Sequence, residues 1–328
     1  MMRRRPLRLT RRGAMLAAPA LAVAGSARAQ GFPDRPLRLI IPWTPGGTND
    51  IVGRIVADAM GPRLGQSIII ENRGGAGGAL GAEVVAKATP DGHTILLGGS
   101  GSLTINHLVR RSIPYDPATA FAPIGMMVEG ANVLVVHSSV RATNMRELQA
   151  EARSRPMTYG SSGVGSTSHA VGAMIALALG VEIEHIPYRG SGPALNDIIA
   201  GRLSMMSNAV APMLPHIRAA SVRAIGVAGG TRSAAIPDVP TMAEQGFPEV
   251  DAATWYALLA TGGTPPDRVG RLHAALNGAL ADPTVRMRLE EHGLDVIPSE
   301  SPDAFGRFLA ADTARWAPVI QRAGVTAN

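Results

Sequence analysis

The chain has 328 residues, with 31 Lys+Arg against 25 Asp+Glu, 38 glycines, 25 prolines, 4% aromatic residues and no cysteine. The lack of cysteine excludes disulfides, thiolate metal sites and a cysteine-linked lipid anchor. The length allows two domains, and the composition suggests short elements joined by tight turns instead of a large aromatic core.

Residues 1–29 carry seven arginines (3, 4, 5, 8, 11, 12 and 28) and no acid. An apolar run follows the first six, Ala14 to Gly25, and the segment ends in Ala27-Arg28-Ala29. That order is the grammar of an export signal with cleavage expected before Gln30. Arg11-Arg12 after Thr10 also fits a twin-arginine leader. The apolar run is too short for a permanent membrane helix. The other reading of the segment is a disordered basic arm that binds nucleic acid. Without these seven arginines, 24 basic residues face 25 acidic ones, a net charge of −1. The mature chain then has no overall basic field for nucleic acid. A soluble protein of an exported bacterial compartment is expected.

The first strand candidate is Leu37–Ile41. It runs into Pro42-Trp43-Thr44-Pro45-Gly46-Gly47, and a helix is predicted from Thr48-Asn49-Asp50, with Ile51, Ile55, Val56 and Ala59 on one face. A helix start offers unpaired N–H groups and the positive end of the macrodipole. Glycines let an anion approach those amides. The bland alternative is a plain strand-to-helix turn capped by Thr48 or Asp50. Strand candidates Ser67–Ile70 and Thr94–Leu97 follow, the latter opening into Gly98–Asn106 with Ser100 and Ser102. Next come Ile124–Val128, Asn132–His137 and Met157–Tyr159.

After Met157–Tyr159 lies a second glycine-serine turn, with Ser161, Ser162, Ser166, Thr167 and Ser168 before a helix whose apolar face is Val171, Met174, Ile175 and Ala178. Hydroxyls can donate to an anion without adding charge, although a single serine here would serve as a cap. His169 at the helix start is either a site residue or a structural histidine. Glu182–Ile186 leads to a third turn with Tyr188, Arg189 and a helix start at Ser191. Leu203–Met206, Val222–Val227 and Trp255–Ala260 complete the strand candidates. Residues 229–240 are either a linker or a structured surface loop. Three helices close the chain, Asp267–Ala281, Pro283–His292 and Pro302–Arg322, the last two with cap pairs Asp282-Pro283 and Ser301-Pro302. Alternating strands and helices predict α/β layers with largely parallel sheets. Their polar turns after strands occupy the crevice position of open sheets.

Enzyme motifs fare poorly. The chain has a single lysine, Lys87, and no phosphate-binding loop. Gly160–Val164 is not G-x-S-x-G, and the eight histidines show no short metal-ligand pair. No cofactor or metal is expected.

Pro42–Asp50, Glu71-Asn72-Arg73-Gly74-Gly75-Ala76-Gly77-Gly78, Pro90–Thr94, Pro114-Tyr115-Asp116-Pro117, Tyr159–Gly163, Pro187-Tyr188-Arg189-Gly190 and Pro237-Asp238-Val239-Pro240-Thr241 stand in order along the chain. With that ordered set it resembles the solute-binding receptors of tripartite tricarboxylate transport systems, the Bug family. The resemblance implies a two-lobed, type II-like periplasmic binding protein with a ligand cleft between hinged lobes. It implies lobe 1 from 31–130 plus 254–328 and lobe 2 from 131–253. One wall would hold Trp43, Pro45, Gly46, Gly47, Thr48, Asp50, Ser100 and Ser102. The other would hold Ser161, Ser162, Ser166, Thr167, His169, Tyr188, Arg189 and Asn208. It also implies a small organic acid ligand, a membrane permease as partner and a monomer that is not an enzyme. Members often carry Phe-Asp-Asn where this chain has Met206-Ser207-Asn208. Ser207 there replaces an acid that could meet a ligand ammonium, which favours a plain carboxylate. The competing functions are a ligand-sensing partner of a signalling receptor and a serine hydrolase built on Ser161–Ser168.

Overall fold

The computed structural model describes residues 31–110 and 112–326, so the expected export signal lies outside the described residues. In chain order the first half has β1 (Leu37–Ile41), α1 (Thr48–Leu64), β2 (Ile68–Asn72), α2 (Ala79–Ala86), β3 (Thr94–Gly99), α3 (Asn106–Val109), β4 (Phe121–Val136), α4 (Met145–Ser154), β5 (Thr158–Ser161) and α5 (Thr167–Leu179). There follow β6 (Glu184–Pro187), α6 (Ser191–Ile199), β7 (Met205–Ala209), α7 (Val210–Arg218), β8 (Arg223–Ala228), β9 (Ala253–Thr261), α8 (Pro266–Leu280), α9 (Pro283–Glu290), β10 (Leu294–Val296) and α10 (Pro302–Arg322). A wide π-type turn, Ser100–Ile105, separates β3 from α3.

Ten strands form one long curled sheet in the order β2-β1-β3-β9-β4-β7-β5-β6, with β8 and β10 also on β4. The β1–β2, β1–β3, β5–β6 and β5–β7 pairs are parallel, while every pair involving β4 or β9 is antiparallel. The predicted parallel character therefore holds for the outer strands and fails at the centre. The sequence pattern also suggests two strands, 124–128 and 132–137, where the structure has one of 16 residues. Glu129-Gly130-Ala131 reads as a break. It is instead strand, because β9 and β10 pair with it from both sides. At Ala131/Asn132 the strand changes partners, from β9 to β7 and β8.

Helices cover both faces of each half, as fully buried apolar strands require. In the first half, Leu37, Leu39 and Ile41 meet α1, α8 and α9, while Ile40, Leu96 and Leu259 meet α2 and the start of α10. In the second, Leu134 and Val136 meet α4 and α5, while Val133 and Val135 meet α6 and α7. The alternation along β4 follows from the period-2 pleat. Sequence patterning misses α4 and β10. The α4 start has a cap, Asn144 accepting from the Glu147 N–H. The expected caps at Asp282 and Ser301 accept from Thr284 and Ala304. Residues 229–240 form a structured loop that buries Ile236 against α6 and α7 and bridges Thr241 to Val227.

The last helix crosses between the halves. Phe305 and Phe308 pack edge-on to Trp255 in the first, whereas Trp316 and Ile320 lie in the core of the second. Between them, buried Asp312 accepts from the Trp255 indole N–H at 2.8 Å, Thr104 Oγ1 at 3.2 Å and the Arg315 guanidinium at 2.8 Å. Removing one partner of a buried hydrogen-bonded set strands the others. Asp312→Ala should therefore lower the free energy of urea unfolding by roughly 1–3 kcal/mol with an unchanged denaturant slope. A loss within error of zero would refute the role of this hub.

Candidate ligand cleft

Several chain reversals bring helix starts to one place. The α1 start is preceded by Gly46 in the left-handed region (φ 86°), which frees the N–H of the turn to face Asp50. The Asp50 carboxylate accepts from Gly46 N at 3.2 Å, from Arg54 at 3.0 and 3.1 Å, and from Asn72 at 3.1 Å. Burial opposes its ionisation, but the hydrogen bonds from Arg54, Gly46 and Asn72 together hold its pKa below the ordinary value. Asp50 is thus committed to shaping the turn. No side chain caps α1 at Gly47 or α6 at Gly190.

At α5, Ser166 is the cap. Its hydroxyl donates to Gly163 O at 2.6 Å and accepts from His169 N at 3.3 Å. Ser162 and Ser168 hydroxyls pair at 2.9 Å. The Ser100 and Thr167 hydroxyls pair at 3.0 Å, tying the π-type turn after β3 to the start of α5.

Between these starts lies a small cavity, with about 40 Å³ open to the centres of water molecules. Trp43, Gly47, Thr48 and Ser102 line it from one side. Ser162, Ser166, Thr167 and Asn208 line it from the other. The other eight expected residues, Pro45, Gly46, Asp50, Ser100, Ser161, His169, Tyr188 and Arg189, are not part of its lining. Pro45 and Gly46 sit on the exposed turn, Ser100 is fully buried behind Thr167, and Arg189 is exposed. The Tyr188 hydroxyl donates to Asp197 at 2.6 Å, and burial and Asp197 push its pKa up to about 12. Ser207 is buried and absent from the lining, because strand alternation points Asn208 inward instead. The substitution at Ser207 therefore does not bear on a ligand ammonium through this cavity.

The lining also includes residues outside the expected set, namely Asn49, Gly99, Gly101, Ser168, Ser191, Thr254 and Tyr256, of which only Ser168 stood out in the sequence as a hydroxyl of the serine turn. Ser168 and Ser191 stand at legible helix starts. Gly99 and Gly101 belong to the legible glycine loop. Thr254 and Tyr256 carry no local signal, since they occupy an apolar strand. None of the described lining residues is charged. Two buried polar atoms in it lack hydrogen-bond partners, Thr48 Oγ1 and Asn208 Nδ2. Burial pushes the Tyr256 hydroxyl pKa up, and the neighbouring Thr48 offsets only part of that rise. An orphaned buried donor costs about 1–3 kcal/mol, so both atoms favour an occupant that accepts.

The walls touch around the cavity, and glycines stand at the contacts. A side-chain carbon on Gly47 would lie 2.7 Å from Ser191 Oγ, and one on Gly101 would lie 3.1 Å from Thr167 N. Carbons on Gly77 and Gly190 would collide with the Val164 carbonyl and Thr44. The close approach of the walls at Gly77 and Gly190 depends on the absence of side chains there.

Beneath the serine loop, His169 and His185 stack at 3.9 Å and 8°, with Tyr159 stacked on His185 at 4.8 Å. Gly165 N–H donates to His169 Nδ1 at 3.3 Å, which requires a free lone pair there. Burial and then His185 push the His169 pKa down to about 3, and burial alone brings His185 to about 4. Ser161 lies 2.6 Å from His185 Nε2 and is itself fully buried.

Residues 52–325 match the family model described as Tripartite tricarboxylate transporter family receptor. The chain is 33% identical over 305 residues to Protein BugT of Bordetella pertussis, covering 92% of this chain and 93% of that one. Among solved structures, it is similar to Rpa4515 of R. palustris with adipate (TM-score 0.87, 34% identity, 90% of this chain and 99% of that one). It is also similar to MatC from Rhodopseudomonas palustris with bound malate (TM-score 0.84, 31% identity, 88% and 100%). With its two-lobed α/β fold and its closed cleft between facing helix starts, the chain belongs to the tripartite tricarboxylate transporter receptors, a family of periplasmic solute-binding proteins.

Proposed function

We propose that this protein captures a small organic carboxylate in the periplasm and presents it, as a closed complex, to the membrane permease of a tripartite tricarboxylate-type transporter. One observation carries the reading. Uncapped helix starts from both sides converge on a cavity without charged side chains. Such a cavity satisfies an anion and leaves an ammonium without a counter-charge. Micromolar capture needs roughly 8 kcal/mol. Hydrogen bonds to a charged group contribute about 1.5–3 kcal/mol each, so four or five cover this after the entropy of capture. The adipate and malate in the two solved relatives fit the same chemistry.

The expected lobe boundaries at 130/131 and 253/254 draw support from the change of β4 partners at Ala131/Asn132, from β9 to β7 and β8. We take those crossings as the hinge, with α10 as a third connection. One chain supplies both walls, so a monomer suffices. No helix among the described residues is long and apolar enough to cross a membrane. The leader read in residues 1–29 would supply export, by the twin-arginine or the general route.

A hydrolase would use the Ser161–His185 pair, and the surroundings argue against it. A general base works best with a pKa near the operating pH, whereas burial holds His185 at about 4. Ser161 is fully buried and accepts from Gly163 N at 3.1 Å. We infer that the pair is structural and the protein is not an enzyme.

Two tests follow. In a thermal-shift screen of carboxylates on protein lacking residues 1–29, at least one short acid should raise the melting temperature. Gly47→Val, placing carbon against Ser191, should abolish that shift; an undiminished response would remove the α1 turn from the site. The second concerns pH. His169 and His185 remain neutral in the fold, while their unfolded counterparts protonate near 6.5. The unfolded chain therefore binds more protons below 6.5, and stability should fall as pH drops from there toward 4. Urea midpoints at pH 7 and 5 should differ less in a His169→Gln/His185→Gln variant than in the parent. Equal differences would assign the dependence to other groups.

A further inference from the structure

We propose that Trp43 sets the upper limit on ligand length in the cleft; the inference rests on the carboxylate-receptor reading above. Two large side chains line the cavity, Trp43 and Tyr256. Tyr256 comes from β9 and belongs to the hydrophobic cluster under α1 and α8, so it is part of the fold's frame. Trp43 differs. It is only 8% exposed, yet it belongs to none of the four hydrophobic clusters among the described residues. Its burial is against the cavity and the turns that close it.

The indole is held in place from behind. The Trp43 carbonyl accepts from Asn72 Nδ2 at 3.1 Å, which pins the backbone beneath the ring. Gly78 supplies the space the ring occupies, for a side-chain carbon there would lie 3.2 Å from Trp43 Cζ2 and 2.8 Å from Ser102 Cβ. Gly78 also adopts φ 97°, so the backbone that admits the ring favours glycine. A ring so placed cannot swing out of the cavity without moving the Ala76–Gly78 turn, which Asn106 holds by bonds to Ala76 O at 2.8 Å and Gly77 O at 3.1 Å.

The space left is small. At about 10–15 Å³ per water centre, 40 Å³ holds roughly three waters, or roughly 90 Å³ of liquid. That suits a compact acid such as malonate, succinate or malate. A longer diacid needs the space that the indole fills. Trimming the indole removes little from the clusters that hold the fold together, so selectivity and folding are separable here.

The experiment is calorimetric titration of the parent, Trp43→Ala and Trp43→Phe with malonate, succinate, malate, glutarate and adipate. The parent should bind its best short diacid at least about tenfold more tightly than adipate, the scale that chain-length discrimination in a pocket reaches. Trp43→Ala should shrink or invert that ratio by about tenfold, with Trp43→Phe between. The ratio is the readout because a merely structural defect lowers all affinities together. A parent that binds adipate as tightly as succinate overturns the proposal, as does an unchanged ratio in folded Trp43→Ala. If Trp43→Ala fails to fold, an unchanged ratio in Trp43→Phe overturns it equally. Failure of every carboxylate on the parent would bring down the receptor reading and this inference together.

Discussion

Main-chain N–H groups at helix starts need acceptors, and here several of them are held in a closed, uncharged space. Gly47 and Gly190 leave α1 and α6 without side-chain caps. Ser166 caps α5 while its neighbours Thr167 and Ser168 face the cavity. Each start carries partial positive charge, and no lining side chain neutralises it. The architecture around the cleft serves to bring those dipoles together and to keep other acceptors away. Asp50, the acid nearest the α1 turn, is kept from the cavity by Arg54, Gly46 and Asn72.

Closure depends on what is missing from the contact points. Gly77 faces the Val164 carbonyl and Gly190 faces Thr44 at distances that leave no room for a side chain, while Gly47 against Ser191 and Gly101 against Thr167 are tight contacts. At these contacts glycine serves a packing role as well as a conformational one. Among the described residues β4, β9 and α10 join the halves, Ile105 and Val109 after the π-type turn also enter the core of the second, and Asp312 fastens α10 to that turn and to β9. The same π-type turn brings Ser102 to the cavity and bonds through Ser100 to α5. Cleft geometry and the connection between the halves therefore share residues. Such sharing lets ligand contacts bias the relative populations of open and closed forms.

Much of this was legible from local pattern. The β1 bounds, the glycine turn at 46–47, the serine turn at 161–168 and the cap pairs at Asp282 and Ser301 all follow from short-range chemistry. The long β4 was not, because Glu129-Gly130-Ala131 looks like a turn until β9 and β10 flank it. Thr254 and Tyr256 were illegible as cavity residues for a related reason. Their strand is read as core, and only its pairing with β3 and β4 carries two of its side chains to the cleft floor.

The sequence by itself determined the helix starts, the glycines that open them and the near neutrality of the chain beyond residue 29, because these depend on residue type and on neighbours a few positions away. Tertiary structure decided which of the starts face one another, which hydroxyls are already paired, and that Asn208 instead of Ser207 looks inward. Those outcomes depend on strand register and on contacts between residues more than a hundred positions apart. A one-residue change in register would exchange the two faces of β7, and no local pattern near Asn208 records which one the packing selects.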